Sequence, residues 1–365
     1  MITYIEKLLN GQPVEWKTLG EVAKYEQPSK YIVKSNTYKD SYSTPVLTPG
    51  KTFVLGYTDE VEGVYPASQK PVVLFDDFTT AFKWVDFDFK VKSSAVKLIT
   101  SVDDCRVLLR YIYYWMGTIP STLVDGDHKR QWISTFSKKA IPIPPLPVQE
   151  EIVRILDKFT ELEAELEAEL EARKQQYEYY RNSLLSFASD SGVVYKTLGE
   201  VAEIKRGERV TKNQLMAQGK YPVISGGTKP LGYFDQANRS ADTITVAQYG
   251  TAGYVDWQSV DFWANDVCYS IFPHLEIDNR FLYHVLCCAQ REIYSLVTDA
   301  IPAHLPQQRL ANISIPIPPL VEQARIVNIL DKFDTLTTSL TEGLPQEIEL
   351  RRKQYEYYRE QLLSF

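Results

Sequence analysis

Asp76-Asp77 followed by Asp88-Phe-Lys90 has the acidic residues and the lysine of a metal-dependent nuclease. In such a site carboxylates hold a cation that activates water against a phosphodiester. The surrounding segment, with Trp84, Phe87, Phe89 and Val91, alternates polar and aromatic residues as a half-buried strand does, and the second half of the chain has no counterpart. The stronger reading places Asp76, Asp77 and Thr79 in a loop at strand ends, where an aspartate can accept from a cytosine amine. Other catalytic signatures are missing: there is no Walker loop, GxGxxG, HExxH or GxSxG. Both Pro-Pro pairs sit in Ile-Pro-Pro-Leu, not in the aromatic-flanked tetrapeptide of amino-methyltransferases, and His128, His274, His284 and His304 lack ligand spacing. What remains is contact chemistry from polar and basic side chains in Gly-rich loops. In the first half these are Lys30, Tyr31, Lys34, Lys51, Tyr57, Asp76, Asp77, Thr79, Lys92, His128, Lys129 and Arg130. In the second they are Lys205, Arg206, Arg209, Lys212, Ser225, Lys229, Tyr249, Thr251 and His304, with Gly226, Gly227, Gly250 and Gly253 letting the backbone approach a ligand closely.

The elements that must position these loops occur twice. Ile141-Pro-Ile-Pro-Pro-Leu146, Ile155-Leu-Asp-Lys-Phe159, Tyr177-Glu-Tyr-Tyr-Arg181 and Leu184-Leu-Ser-Phe187 return as Ile315 to Leu320, Ile329 to Phe333, Tyr355 to Arg359 and Leu362 to Phe365. Between the prolines and Phe187 there is no Gly or Pro beyond Pro147, and Glu, Leu, Ala, Lys and Arg dominate, a composition that favours helix. Ile155, Phe159, Leu162, Leu166, Leu170, Tyr177, Tyr180 and Leu184 fall at the spacing of a coiled-coil seam. Such a helix would run roughly 60 Å. The second copy keeps the seam from Ile329 to Leu362 but carries an insertion around Gly343 and Pro345, which predicts a break or kink. Each apolar stripe needs a partner, and the other copy is at hand, so the two helices are expected to pair within the chain.

The segments between the helices share a skeleton. Pro45-Val-Leu with Leu55-Gly-Tyr57 matches Pro222-Val-Ile with Leu231-Gly-Tyr233, and short runs rich in Val, Ile, Phe, Tyr and Trp follow each. Each segment then holds a helix, from Cys105 to Met116 or Asn279 to Ala289, and returns to the prolines. Trp16-Lys-Thr-Leu-Gly-Glu-Val-Ala23 echoes Tyr195 to Ala202, and the piece before it, Tyr4 to Leu9, resembles the tail of a third helix copy, so the repeat is effectively circular. The expected class is α+β: two mixed α/β heads, residues 17–146 and 188–320, joined by two long helices, 147–187 and 321–365, that form an antiparallel coiled coil, with residues 1–16 completing a pseudo-twofold ring. The net charge of −7 resides wholly in the two helical copies, leaving neutral heads on which a local basic face is possible. The four cysteines show no framework spacing, and no apolar run approaches a membrane span or signal-peptide core, so a cytoplasmic protein that does not enter a membrane is expected.

With its doubled Ile-Pro-(Ile)-Pro-Pro-Leu, Ile-Val-x-Ile-Leu-Asp-Lys-Phe and Arg-Lys-Gln-Tyr-Glu-Tyr-Tyr-Arg motifs, each with Gln149 or Gln323 after the prolines, the chain resembles the specificity subunits of type I restriction-modification systems. Phe75-Asp-Asp-Phe-Thr79 and Tyr249-Gly-Thr-Ala-Gly253 also resemble segments of their target-recognition domains. The resemblance implies that each head reads half of a split double-stranded DNA target and that the helices set the distance between halves. It further implies no catalytic centre or cofactor in this chain. Two modification subunits would supply S-adenosylmethionine and methylate adenine, and restriction subunits would supply ATP- and Mg-dependent cleavage. Heads on one face of B-DNA would lie about 34–36 Å apart. The competing reading is a scaffold or decoy that binds modification subunits without reading DNA.

Overall fold

The computed structural model describes residues 4–50, 52–120, 130–188, 191–339 and 342–365. The chain forms two compact units, residues 1–165 with 349–365 and residues 166–348.

In the first unit a four-stranded antiparallel sheet has the order Ala23–Glu26, Val96–Ser101, Val72–Asp76, Phe82–Val85. Its central strand reads Val-Val-Leu-Phe because both faces are covered. Val73, Phe75 and Ile99 face a core shared with the helix Leu109–Met116, while Val72, Leu74, Val96 and Leu98 face a second core. That second core is closed by a three-stranded sheet, Val54–Thr58, Thr44–Leu47 and Lys90–Val91, whose last pair is parallel. Full burial of each such side chain stabilises by about 1.5–3 kcal/mol. The stretch from Phe82 to Val91, alternating in sequence, is two strands: between them Phe87 lies exposed and Asp88 accepts from the Ser68 amide and hydroxyl.

The second unit repeats the plan. Ala202–Arg206, Cys268–Pro273, Thr243–Ala247 and Val255–Gln258 form the larger sheet, and Tyr233–Phe234, Tyr221–Ile224 and Trp263–Ala264 the smaller. One face of the central strand, Ile244 and Val246, packs on the helix Asn279–Cys288. The other presents Thr245, which accepts from Gln258, where the first head has the apolar Leu74.

Each head is closed by a two-stranded ribbon, Glu15–Thr18 with Ala140–Ile143 and Val194–Thr197 with Ser314–Ile317. The ribbon's first strand ends in a capping box, Thr18 with Glu21 and Thr197 with Glu200, which opens a one-turn helix and holds both glutamates below the usual carboxylate range. The prolines then lead into the shared helices. The first is continuous from Leu146 to Leu184, 39 residues. The second is broken, as its insertion predicts, into Leu320–Thr338 and Leu344–Leu363, with Gly343 at φ +105° where a side chain would be strained. No helix of the described residues is long and apolar enough to cross a membrane.

The shared helices use two faces. The seam is half-buried, and its aromatics make the same contact once in each unit: Phe159 stacks on Tyr358 at 5.2 Å, and Phe333 on Tyr180 at 5.4 Å. In the first unit Glu163 also bonds Arg352 at 2.6 Å, so numbers rise along one helix as they fall along the other, an antiparallel pairing. Another face, with Val148, Ile152 and Leu156 in the first copy and Ile326 and Leu330 in the second, enters the head cores, as does Leu362 at the end of the seam.

Candidate nucleic-acid interface

The heads carry the candidate contacts, and two matched clamps orient each head on its own shared helix. Gln149 is fully buried at the helix start; its Oε1 accepts from the Leu108 amide at 3.0 Å and its Nε2 donates to the carbonyls of Arg106 and Pro144 at 2.9 and 2.8 Å. Gln323 does the same with the Asp278 amide and the carbonyls of Glu276 and Pro318. About two helical turns further on, Arg110 bonds Asp157 at 2.7 Å with its guanidinium 4.4 Å from the Trp84 ring, and Arg280 bonds Asp331 at 2.7 Å with its guanidinium 4.7 Å from Trp257. Tyr114 also donates to Asp157, whereas the second head has His284, buried between Asp331 at 2.7 Å and the Tyr177 hydroxyl at 3.1 Å. Burial alone would raise the Asp331 carboxyl, but hydrogen bonds from His284 and Arg280 hold it below the usual range. Reading for reactive motifs missed these residues. Their signal was the Arg-x-x-Tyr spacing shared by both head helices, Arg110 to Tyr113 and Arg280 to Tyr283.

The acids of the nuclease-like stretch do not converge. Asp76 Oδ1 accepts from the amides of Phe78 and Thr79 in its own turn, Asp88 is engaged by Ser68, and Lys90 is buried against Glu60 at 2.9 Å while donating to the Glu62 carbonyl. Asp77 requires a correction. It is not a loop side chain open to a base: it is 1% exposed, 3.3 Å from the equally buried Lys97, and accepts from the Trp132 amide at 2.8 Å. No group of three or more His, Cys, Asp or Glu fit to hold a metal occurs among the described residues.

The remaining candidates of the first head fall into two groups. Tyr31, Lys34, Tyr57 and Lys92 surround the small sheet with Lys30. Tyr31 donates to Glu26 and packs edge-on against Tyr65, its hydroxyl pushed up by burial and by Glu26; Lys30 and Lys34 pair with Glu26 and Glu62 at 3.7 Å; Lys92 donates to Asn36. These exposed lysine pairs are worth little, so phosphates can compete for the cations. Asp76, Thr79 and Arg130 belong to the turn of the large sheet, where the Gln131 amide next to Arg130 bonds the Asp77 carbonyl at 2.7 Å. Lys51, His128 and Lys129 lie outside the described residues, as does the side chain of Lys212.

In the second head Ser225, Gly226, Tyr249, Gly250, Thr251 and His304 come together. The Gly226 carbonyl accepts from the Thr251 amide and hydroxyl at 2.7 and 2.8 Å, Tyr249 stacks on His304 at 5.4 Å, and the Ser225 hydroxyl accepts from Asn265. The glycines are a second correction. A Cβ on Gly226 would meet the Tyr249 carbonyl at 2.3 Å, and one on Gly250 the Gly226 carbonyl at 2.5 Å, so these residues let two loops touch each other rather than a ligand. Gly253, at φ +90°, packs against Ile293 and Tyr294, while a Cβ on Gly227 would meet the Lys229 carbonyl at an ordinary 3.5 Å. Arg209 and Lys229 are exposed; Lys205 pairs with Glu203, and Arg206 donates to the Asp266 carbonyl.

A family model described as the type I restriction modification DNA specificity domain matches this chain twice, over residues 13–172 and 190–350. The chain belongs to that family. It is 48% identical to the EcoR124I/EcoR124II type I restriction enzyme specificity subunit of Escherichia coli, over all of this chain and 97% of that one. It is 34% identical to the EcoprrI specificity subunit of E. coli, covering 93% and 92%. The fold is similar to that of the type I restriction-modification S subunit from M. genitalium, with a TM-score of 0.67 at 18% identity and 97% of both chains covered. As a specificity subunit of this family, the chain has two target-recognition domains, the heads described above, on a pair of shared helices.

Proposed function

We propose that the chain reads a bipartite double-stranded DNA target, one half-site per head, and holds two modification subunits that methylate adenine within it. The observation that carries this reading is the doubled clamp: two heads of one topology but different loops are each bound to the same helix motif by a buried glutamine and an Arg–Asp pair. Repeated seats with diverged loops suit two sequence readers on equal partners. In this reading the chain is not catalytic. The methyl donor S-adenosylmethionine belongs to the modification subunits, and ATP with Mg to restriction subunits that act on unmodified DNA.

The test is adenine methylation mapped across the genome of a methylation-free host expressing the chain with its modification subunit. A split motif lost when the chain is omitted supports the reading; no methylation despite a purified complex would favour a scaffold or decoy.

The spacer carries a further prediction. Leu162, Leu166 and Leu170 begin successive Leu-Glu-Ala units within the continuous helix, and an added Leu-Glu-Ala-Glu after Glu169 extends it by about 6 Å. The expected outcome is an unspecified gap about two base pairs longer between unchanged half-sites in the mapped motif. An unchanged gap would refute the helix as ruler.

A further inference from the structure

The turn that follows the central strand of the first head holds an aromatic ring in the open. Phe78 is 40% exposed, yet its turn is fastened from every side. Asp76 accepts from the amides of residues 78 and 79, Asp77 is anchored below by Lys97 and Trp132, and Thr80 sits at φ +60°. A β-branched residue in that conformation is strained, and such strain persists where the surroundings over-determine it, often at functional positions.

The second head places an aromatic residue at the same point. Trp84 and Trp257 pair with Val73 and Ile244 on the two central strands, which sets the register between heads. The amides of Asp77 and Gln248 then donate to the carbonyls of Ala95 and Val267, and their own carbonyls accept from Gln131 and Leu305. The next residue is Phe78 in one head and Tyr249 in the other, held there by stacking on His304. Two heads whose loops otherwise differ thus each place one ring at the same turn, Phe78 exposed and Tyr249 half-buried.

This inference rests on the proposed function. N6 of adenine is out of reach inside a duplex, so a methyltransferase must extrude the base, leaving a gap lined by the faces of its neighbours. A ring on a stiff turn suits that gap, because stacking stabilises any base sequence through its π face. We propose that Phe78 and Tyr249 fill the space left by the extruded adenine in the first and second half-sites, one ring for each methylated base.

The test uses the full chain assembled with its modification subunits and a duplex bearing the mapped target, with 2-aminopurine replacing the methylated adenine of one half-site. The parent complex should raise 2-aminopurine fluorescence. Phe78→Ala should reduce that rise and weaken binding about 5- to 150-fold, the range of one lost base stack. The effect should be confined to one half-site, Tyr249→Ala should act on the other, and Phe78→Trp should restore extrusion. Thermal unfolding of Phe78→Ala should match the parent, since the ring is exposed. Unchanged fluorescence and affinity in both alanine variants would overturn the inference, as would an altered mapped motif with normal extrusion, which would make the rings base readers. Failure of the proposed function would be visible separately, as the absence of any mapped motif with the parent chain.

Discussion

Asp77→Ala is expected to destabilise the first head by about 3–5 kcal/mol, far more than the roughly ±0.5 kcal/mol of an ordinary surface substitution. Asp77 and Lys97 are 1% and 0% exposed, and their 3.3 Å contact lacks hydrogen-bond alignment, so Coulomb attraction holds it. Removing the carboxylate strands the Lys97 ammonium over the Tyr25 ring, 5.3 Å from its centre, and takes from the Trp132 amide its side-chain acceptor. Burying a charge without a partner is the costly step, so removing both charges should be mild: Asp77→Leu with Lys97→Met is expected to regain most of the loss. Urea unfolding followed through tryptophan emission reads this directly, because Trp132 is itself buried beside the pair. A single alanine variant as stable as the parent would show that residue 77 is a solvated loop side chain after all.

Gln149→Ala should cost the same head about 1–3 kcal/mol. Three main-chain groups, the Leu108 amide and the Arg106 and Pro144 carbonyls, lose their partner together; the Pro144 carbonyl is buried and left unsatisfied, which costs about 1–3 kcal/mol, while water can reach the partly buried other two. Gln149→Glu keeps the acceptor for Leu108 but puts a carboxylate against two carbonyls. Burial there would raise the folded-state pKa of the new acid, so the variant should be least impaired below its unfolded pKa of about 4.3 and lose stability as pH rises through the folded value. Gln323→Ala should produce a matching loss in the second unit. Because the two glutamines lie in separate units, the losses should add within about 0.5 kcal/mol in the double variant. A double variant no worse than either single one would mean that the two heads share one unfolding event limited elsewhere.

These two residues mark where reading the chain as a string stopped. Asp76-Asp77 follows four apolar residues and precedes Phe78-Thr79, a pattern that suits a loop opening off a strand. The burial of Asp77 is decided by Lys97 on the neighbouring strand and by Trp132, which returns to the turn from far along the chain. Gln149 and Gln323 stand in the repeated motif, but nothing local tells a buried clamp from a solvated amide on a helix. Gly226 and Gly250 were read as openings for a ligand because glycine permits any close approach; only the neighbouring loop identifies what approaches. Phe78 went unmarked because a lone Phe beside a strand is ordinarily core.

The sequence by itself determined the doubling, the α+β class, the long helix from Leu146, the break at Gly343, and membership of a family with two recognition heads. Helix propensity, seam spacing and repeated motifs are properties of neighbours in the chain, carried by interactions three or four residues apart. Only the tertiary structure decided which face of the shared helices enters the heads, that Arg110 and Arg280 reach Asp157 and Asp331, which acids are structural, and that Phe78 stands exposed at its turn. The physical reason is that burial and charge pairing depend on partners brought together from distant segments, and the low-dielectric interior they create sets the cost of every polar group placed inside it.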